Sequence, residues 1–73
     1  MSHHHLPHVS AFRRLLNVLR RHGNDGVETT RAKLAKALGM SLYALDRAIR
    51  DWIEAGCLTK ERRRRGIWIE VPL

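Results

Sequence analysis

The apolar residues of the first third of the chain recur at helical spacing. The stretch VSAFRRLLNVLRRHG sets apolar side chains three or four positions apart, which predicts an amphipathic helix with its arginines on the other side. Ser10 is predicted as the N-cap of this helix and Gly23 as its C-terminal stop. The apolar stripe consists of Val9, Phe12, Leu15, Leu16 and Leu19, and the polar side consists of Arg13, Arg14, Asn17, Arg20 and Arg21.

A turn signal and a short extended stretch separate this helix from a second one. GNDG at 23–26 is typical of a turn, and the VETT after it predicts a short strand. Thr30 is predicted to cap a two-turn helix over 31–38, which ends at Gly39.

A third, longer helix is predicted over 41–55. Ser41 is its expected N-cap, and Gly56 is expected to close its C-terminal end. Its pattern divides cleanly into two faces. The inward stripe is predicted to hold Leu45, Ala48, Ile49, Trp52 and Ile53, and the outward face Leu42, Tyr43, Asp46, Arg47 and Arg50.

The last part of the chain alternates with a period of two, as a strand does. Residues 58–62 are the expected antiparallel partner of this strand, with a turn over 63–66 in which Gly66 adopts a positive φ. Ile67, Ile69 and Val71 fall on one side of the strand, and Trp68 and Glu70 on the other. The predicted order is helix, short strand, helix, helix, hairpin: a mainly α fold with a small β-hairpin.

Length and charge narrow the class of protein. With 73 residues the chain is one small domain, expected over 9–73, while 1–8 is expected to be a flexible tail compatible with a tag remnant. The net charge is +7, and 11 of the 14 cationic residues are arginine. Such a balance indicates a polyanionic partner, and arginine suits phosphate and guanine, although high-GC codon usage is an alternative source of the arginine bias.

Other classes of function have little support in the sequence. No apolar run approaches the ~20 residues of a membrane span, and the single Cys57, expected to be a small core residue, cannot form an internal disulfide. A cytoplasmic or nucleoid-associated protein is therefore expected. No metal-ligand spacing, phosphate loop or nucleophile with a base is present, so we expect no enzyme, no metal and no cofactor.

The two helices after residue 30 carry the spacing of a helix-turn-helix. A small residue, a turn glycine and a branched apolar residue are needed where two helices cross closely, and Ala35, Gly39 and Leu45 meet these needs. From about 12 to 71, the chain resembles the winged helix-turn-helix family of prokaryotic and viral DNA-binding domains. The likeness includes Trp52, the EAGCL junction and the basic hairpin tip.

This resemblance implies a double-stranded DNA binder, such as a small transcriptional regulator or a phage or plasmid accessory protein. The helix over 41–55 would enter the major groove, and the hairpin would act as a wing over flanking phosphates or the minor groove. The expected wing contacts are Arg62, Arg63, Arg64, Arg65, Gly66 and Trp68, and the expected helix contacts are Ser41, Leu42, Tyr43, Asp46, Arg47 and Arg50.

Side-chain chemistry suggests a role for each helix residue. Arg47 and Arg50 could each bond a guanine edge, and Tyr43 with Ser41 could bond phosphates or bases. Leu42 could contact a thymine methyl group. Asp46 could accept from a cytosine amino group, but the preferred prediction is that it orients Arg50 as an i,i+4 pair. Weaker backbone contacts are expected from Arg31, Lys33, and Arg13 or Arg14.

The two tryptophans differ in their expected surroundings. Trp52 is predicted to be core, because it lies in the apolar stripe with Leu45 and Ile49. Trp68 is predicted either to pack across the strand against the third helix or to meet nucleic acid.

Two alternatives remain open at this level. One is a winged helix used as a protein-docking module. The other is a low-specificity nucleoid-type binder, or one similar to the Z-DNA-binding Z-alpha domains, although Asp46, Arg50 and Arg65-Gly66 stand where that family has its asparagine, tyrosine and proline marks. A homodimer is compatible with the chain, including one that forms only on DNA. No small-molecule ligand is expected, because a fold of this size is expected to leave no volume for a pocket.

Overall fold

A computed structural model describes residues 6–23 and 26–72, which form three helices and three strands. The elements in chain order are α1 (Val9–Arg21), β1 (Gly26–Thr29), α2 (Arg31–Leu38), α3 (Leu42–Glu54), β2 (Thr59–Arg63) and β3 (Gly66–Glu70). Because β1 joins the hairpin, the fold is mixed α/β rather than mainly α, and its layout is consistent with a helix-turn-helix followed by a wing. None of the described helices is long and apolar enough to cross a membrane.

The predictions for α2 and the start of α3 are confirmed in detail. The Thr30 hydroxyl accepts from the Lys33 amide at 3.1 Å, and Gly39 ends α2 with a φ of 68° that favours glycine. The Ser41 hydroxyl accepts from the Ala44 amide at 3.1 Å. Only residues 39–41 separate the two helices, and Ala35 and Leu45 are both buried at their crossing.

The predicted start of α1 is wrong. His8, not Ser10, is the N-cap residue; it has left-handed φ and ψ of 54° and 53°, and no side chain caps the helix. Ser10 is already inside the first turn. Two residues of the predicted apolar stripes are also exposed: Val9 is 46% exposed and Ile53 is 41% exposed. Each lies at the edge of its stripe.

The sheet has the order β1-β3-β2, with both pairings antiparallel. Arg63 pairs with Gly66, so the turn holds only Arg64 and Arg65 and is shorter than the predicted 63–66. Gly66 has the predicted positive φ, at 159°, and it also needs the space that a glycine leaves. A Cβ at this position would clash with the carbonyl oxygen of Thr29, at the end of the neighbouring strand β1.

Trp52 lies in the core and also forms a hydrogen bond with Pro7, a residue of the expected tail. Its side chain is fully buried, as predicted, and its ring centroid is 5.3 Å from that of Phe12 on α1. Its indole nitrogen donates to the Pro7 carbonyl at 2.7 Å. His8 Nε2 lies 2.8 Å from Asp51 Oδ2, and this hydrogen bond is the main cause that lowers the pKa of the Asp51 carboxyl. Pro7 and His8 therefore contact α3 and Leu6 packs against the core, whereas 1–5 lie outside the described residues.

We expect Gly66→Ala to destabilise the fold by about 3 kcal/mol, because the added methyl group would push β1 away from β3. The matched control is Gly23→Ala, where φ is 75° but no atom lies within 4 Å of the added Cβ. That variant should lose only about 1 kcal/mol of stability, because the left-handed backbone is its only source of strain. Urea unfolding measures both. Equal losses would contradict the steric role assigned to Gly66.

Candidate nucleic-acid interface

An open groove of about 690 Å³ separates α3 from the β2–β3 hairpin. The expectation that the fold leaves no volume for a pocket is therefore wrong. Ile49 and Ile67 contribute apolar surface to the groove, while its charged side chains come from three elements. Four are cationic and two are acidic: Arg31, Arg50, Lys60 and Arg62, with Asp46 and Glu54.

The strand register decides which hairpin cations face this groove. Directly paired residues of neighbouring strands lie on the same face of a sheet, and successive residues alternate between faces. Lys60 and Arg62 pair with Ile69 and Ile67, so they lie on the face that packs toward the core and α3. Arg63 pairs with Gly66 and lies on the opposite face.

Lys60 is the cationic groove residue that the sequence prediction missed. The signal was present, because in a strand Lys60 and Arg62 are two positions apart and must share a face. Arg64 and Arg65 occupy the exposed hairpin tip.

Trp68 lies on the outer face of the sheet, the face that points away from α3. Of the two surroundings predicted for Trp68, packing against the third helix is therefore wrong. The register sets Glu28 and Glu61 on either side of it, and its indole nitrogen donates to Glu70 Oε1 at 3.0 Å. The Arg63 guanidinium carbon is 5.2 Å from the centre of its ring, within range of a cation–π contact.

Gly26 of β1 makes room for the Trp68 ring. A Cβ at Gly26 would come within 2.5 Å of Trp68 Cζ2. Arg63 also lies 3.4 Å from Glu61 Oε1, so both members of this stack have partners within the sheet. The outer face is thus a self-contained packing unit of β1, β2 and β3.

The predicted outward face of α3 is exposed. Tyr43 is 71% exposed and Leu42 46%. Arg47 donates to the Tyr43 hydroxyl at 3.4 Å, and its guanidinium carbon lies 5.8 Å from the Tyr43 ring centre. Arg50 extends from the same helix into the groove.

Asp46 pairs with a different arginine from the one predicted. Arg31 Nη1 donates to Asp46 Oδ2 at 2.6 Å, which joins the first residue of α2 to α3. Arg50 instead lies 3.9 Å from Asp51 Oδ1. The i,i+4 prediction is wrong because a residue distant in sequence came closer to the carboxylate. Both partners of the Arg31–Asp46 pair are about half exposed, so it contributes only ~0.2–1 kcal/mol to stability.

The other predicted backbone contacts lie away from the groove. Lys33 lines a smaller cavity of about 340 Å³ between α1, β1 and α2. Arg14 donates a hydrogen bond to the Leu38 carbonyl at 3.0 Å. This bond supplies a partner for a backbone carbonyl in the last turn of α2, which has none within the helix. Arg13 is exposed on α1. Of the predicted sites, the groove thus brings together Arg31, Asp46, Arg50, Arg62 and Gly66.

Comparison with known proteins supplies no family for the chain. No protein-family model matches the sequence, and no curated protein matches it significantly. The resemblance to winged helix-turn-helix domains therefore depends on the residues and geometry of this chain alone.

A double-mutant cycle tests the packing of Trp68 on Gly26. Gly26→Ala should destabilise the protein by about 1–3 kcal/mol, because its methyl group and the indole cannot occupy the same space. In a Trp68→Ala background the same change should cost little, which gives a coupling energy above about 1 kcal/mol in urea unfolding. An equal cost in both backgrounds would show that the indole lies elsewhere.

Proposed function

We propose that this protein binds double-stranded DNA with sequence preference, as a small transcriptional regulator or a phage or plasmid accessory protein. In this proposal α3 enters the major groove and the β2–β3 hairpin contacts the flanking backbone or minor groove. The observation that carries it is the groove in which Arg50 of α3 and Arg62 of β2 lie on a common surface. A helix and a cationic hairpin that share one surface can contact one duplex together.

Charge supports DNA as the occupant of this surface. The groove holds four cationic side chains and two carboxylates, and Arg64 and Arg65 extend the positive charge to the hairpin tip. These like charges repel one another in the free protein. Phosphates would remove that repulsion, and release of their counterions would favour binding at low salt.

The exposed side chains of α3 can read bases. Arg50 is the stronger candidate for a guanine, because its guanidinium has only a distant carboxylate, at 3.9 Å, among the described residues. Arg47 lies against Tyr43, so the two would approach a base or phosphate as a unit. Asp46 is partly neutralised by Arg31, which lowers the repulsion between this carboxylate and phosphates.

The two faces of the hairpin divide its arginines in this proposal. Lys60 and Arg62 face the groove and would contact phosphates, together with the tip residues Arg64 and Arg65. Arg63 is stacked on Trp68 on the outer face, so neither of these two residues belongs to the proposed contact.

Neighbouring arginines of β2 provide a matched pair of variants. Arg62→Gln should weaken binding to every duplex and reduce the slope of log affinity against log salt by about 0.9, the value for one lost phosphate contact. Arg63→Gln removes the same charge from the opposite face and should leave both quantities near those of the parent. Fluorescence anisotropy with a labelled duplex over a salt series measures them. If the two variants weaken binding equally, the hairpin does not present its groove face to DNA.

Selection of bound sequences from a random duplex pool tests the role of α3. The parent protein should enrich a motif, and Arg50→Ala should relax preference at one or two positions, at a cost of about 1–3 kcal/mol per guanine contact. Binding with steep salt dependence and no enriched motif would instead indicate a binder of DNA shape. Absence of binding at low salt would overturn the proposal and favour a protein partner.

A further inference from the structure

The outer side of α1 is a second cationic surface. Arg13, Arg14, Asn17, Arg20 and Arg21 are all exposed, and α1 contains no acidic residue. We refer to these five residues as the α1 face. They hold four of the 14 cationic side chains of the chain.

The interface proposed above does not include the α1 face. No residue of α1 lines the groove. On α3, Trp52 contacts Phe12 of α1, whereas Arg50 lines the groove. Residues two positions apart on a helix differ in direction by about 200°, so the side of α3 that carries Arg50 points away from α1. A duplex in the groove therefore leaves the α1 face free.

Structural roles within the fold account for only some of the arginines on the α1 face. Arg14 has a structural contact, the hydrogen bond to the Leu38 carbonyl. Arg20 and Arg21 suit the negative end of the helix dipole, but Arg13 lies in the middle of α1. Within 6–23 and 26–72, none of Arg13, Arg20 and Arg21 forms a salt bridge. A polyanion would relieve the repulsion among them.

We propose that the α1 face binds a second segment of duplex DNA through its phosphates, so that one copy of the protein joins two duplexes. This inference rests on the proposed function, since it requires a first duplex in the groove. Arg13 and Arg20 are seven residues apart, about 10 Å along the helix. That distance is comparable with the ~12 Å width of a major groove, so the two ends of the face can reach phosphates on both strands. The contact is independent of base sequence.

A capture experiment measures this joining directly. One duplex of ~20 base pairs is tethered to beads, and a fluorescent duplex of the same length is free in solution at ~50 mM salt. Duplexes this short cannot bend back on themselves, because the persistence length of DNA is about 150 base pairs. The protein should hold the fluorescent duplex on the beads, and rising salt should release it.

Two triple variants that each remove three positive charges separate the surfaces. Arg13→Gln, Arg20→Gln and Arg21→Gln together should keep near-parental affinity for a single duplex but reduce capture by an order of magnitude or more. Arg14 is left in place because of its bond to Leu38. The matched variant, Arg62→Gln with Arg64→Gln and Arg65→Gln, should lose affinity for the single duplex and capture together.

The outcomes distinguish this inference from the proposed function. If the parent binds the tethered duplex but captures no second one, or if the α1 variant captures as well as the parent, the inference is wrong and the proposed function stands. Sedimentation showing two protein copies for each joined pair of duplexes would also overturn it, because the joining would then come from self-association. If the parent does not bind even the tethered duplex, the proposed function itself fails.

Discussion

The position of β3 at the centre of the sheet is the constraint on which the other elements depend. It pairs with β1, which precedes α2 in the chain, and with β2, which follows α3. The two helices are therefore held at both ends by one strand. Ile69 of β3 is fully buried and joins the helices to the sheet through the core. Hydrogen bonds to both neighbours make the central strand difficult to displace, so α3 and the hairpin keep a fixed relation.

The same strand assigns the charges of the hairpin to separate faces. Alternation along β2 directs Lys60 and Arg62 to the α3 side and Glu61 and Arg63 to the other. A cluster of arginines that reads as one patch in the sequence is thus three groups in space: a groove side, a tip and an outer stack on Trp68. The proposed division of labour among these arginines follows from the register and needs no special loop conformation.

Local signals predicted the parts of the fold that local physics controls. The bounds and caps of α2 depend on Thr30 and Gly39, whose effects reach only three or four residues. Contacts between distant segments were beyond such reasoning. Three such contacts depend on the tertiary packing of distant elements. They are the Arg31–Asp46 pair, the packing of Trp68 on Gly26 and the hydrogen bond from Trp52 to the Pro7 carbonyl. Of the predicted site residues, Arg31, Asp46, Arg50, Arg62 and Gly66 line the groove, but the sequence did not show which face of the hairpin each arginine occupies.

The contrasting surroundings of the two indoles have a spectroscopic consequence. Trp52 is enclosed by hydrocarbon and satisfied by a backbone carbonyl, whereas Trp68 is only partly covered and borders a guanidinium and a carboxylate. The first chromophore should emit at shorter wavelength than the second, since water around an excited indole shifts its emission to the red. Intrinsic fluorescence of this chain therefore combines a signal from the interior with one from the sheet surface, and replacing either tryptophan with phenylalanine would separate them.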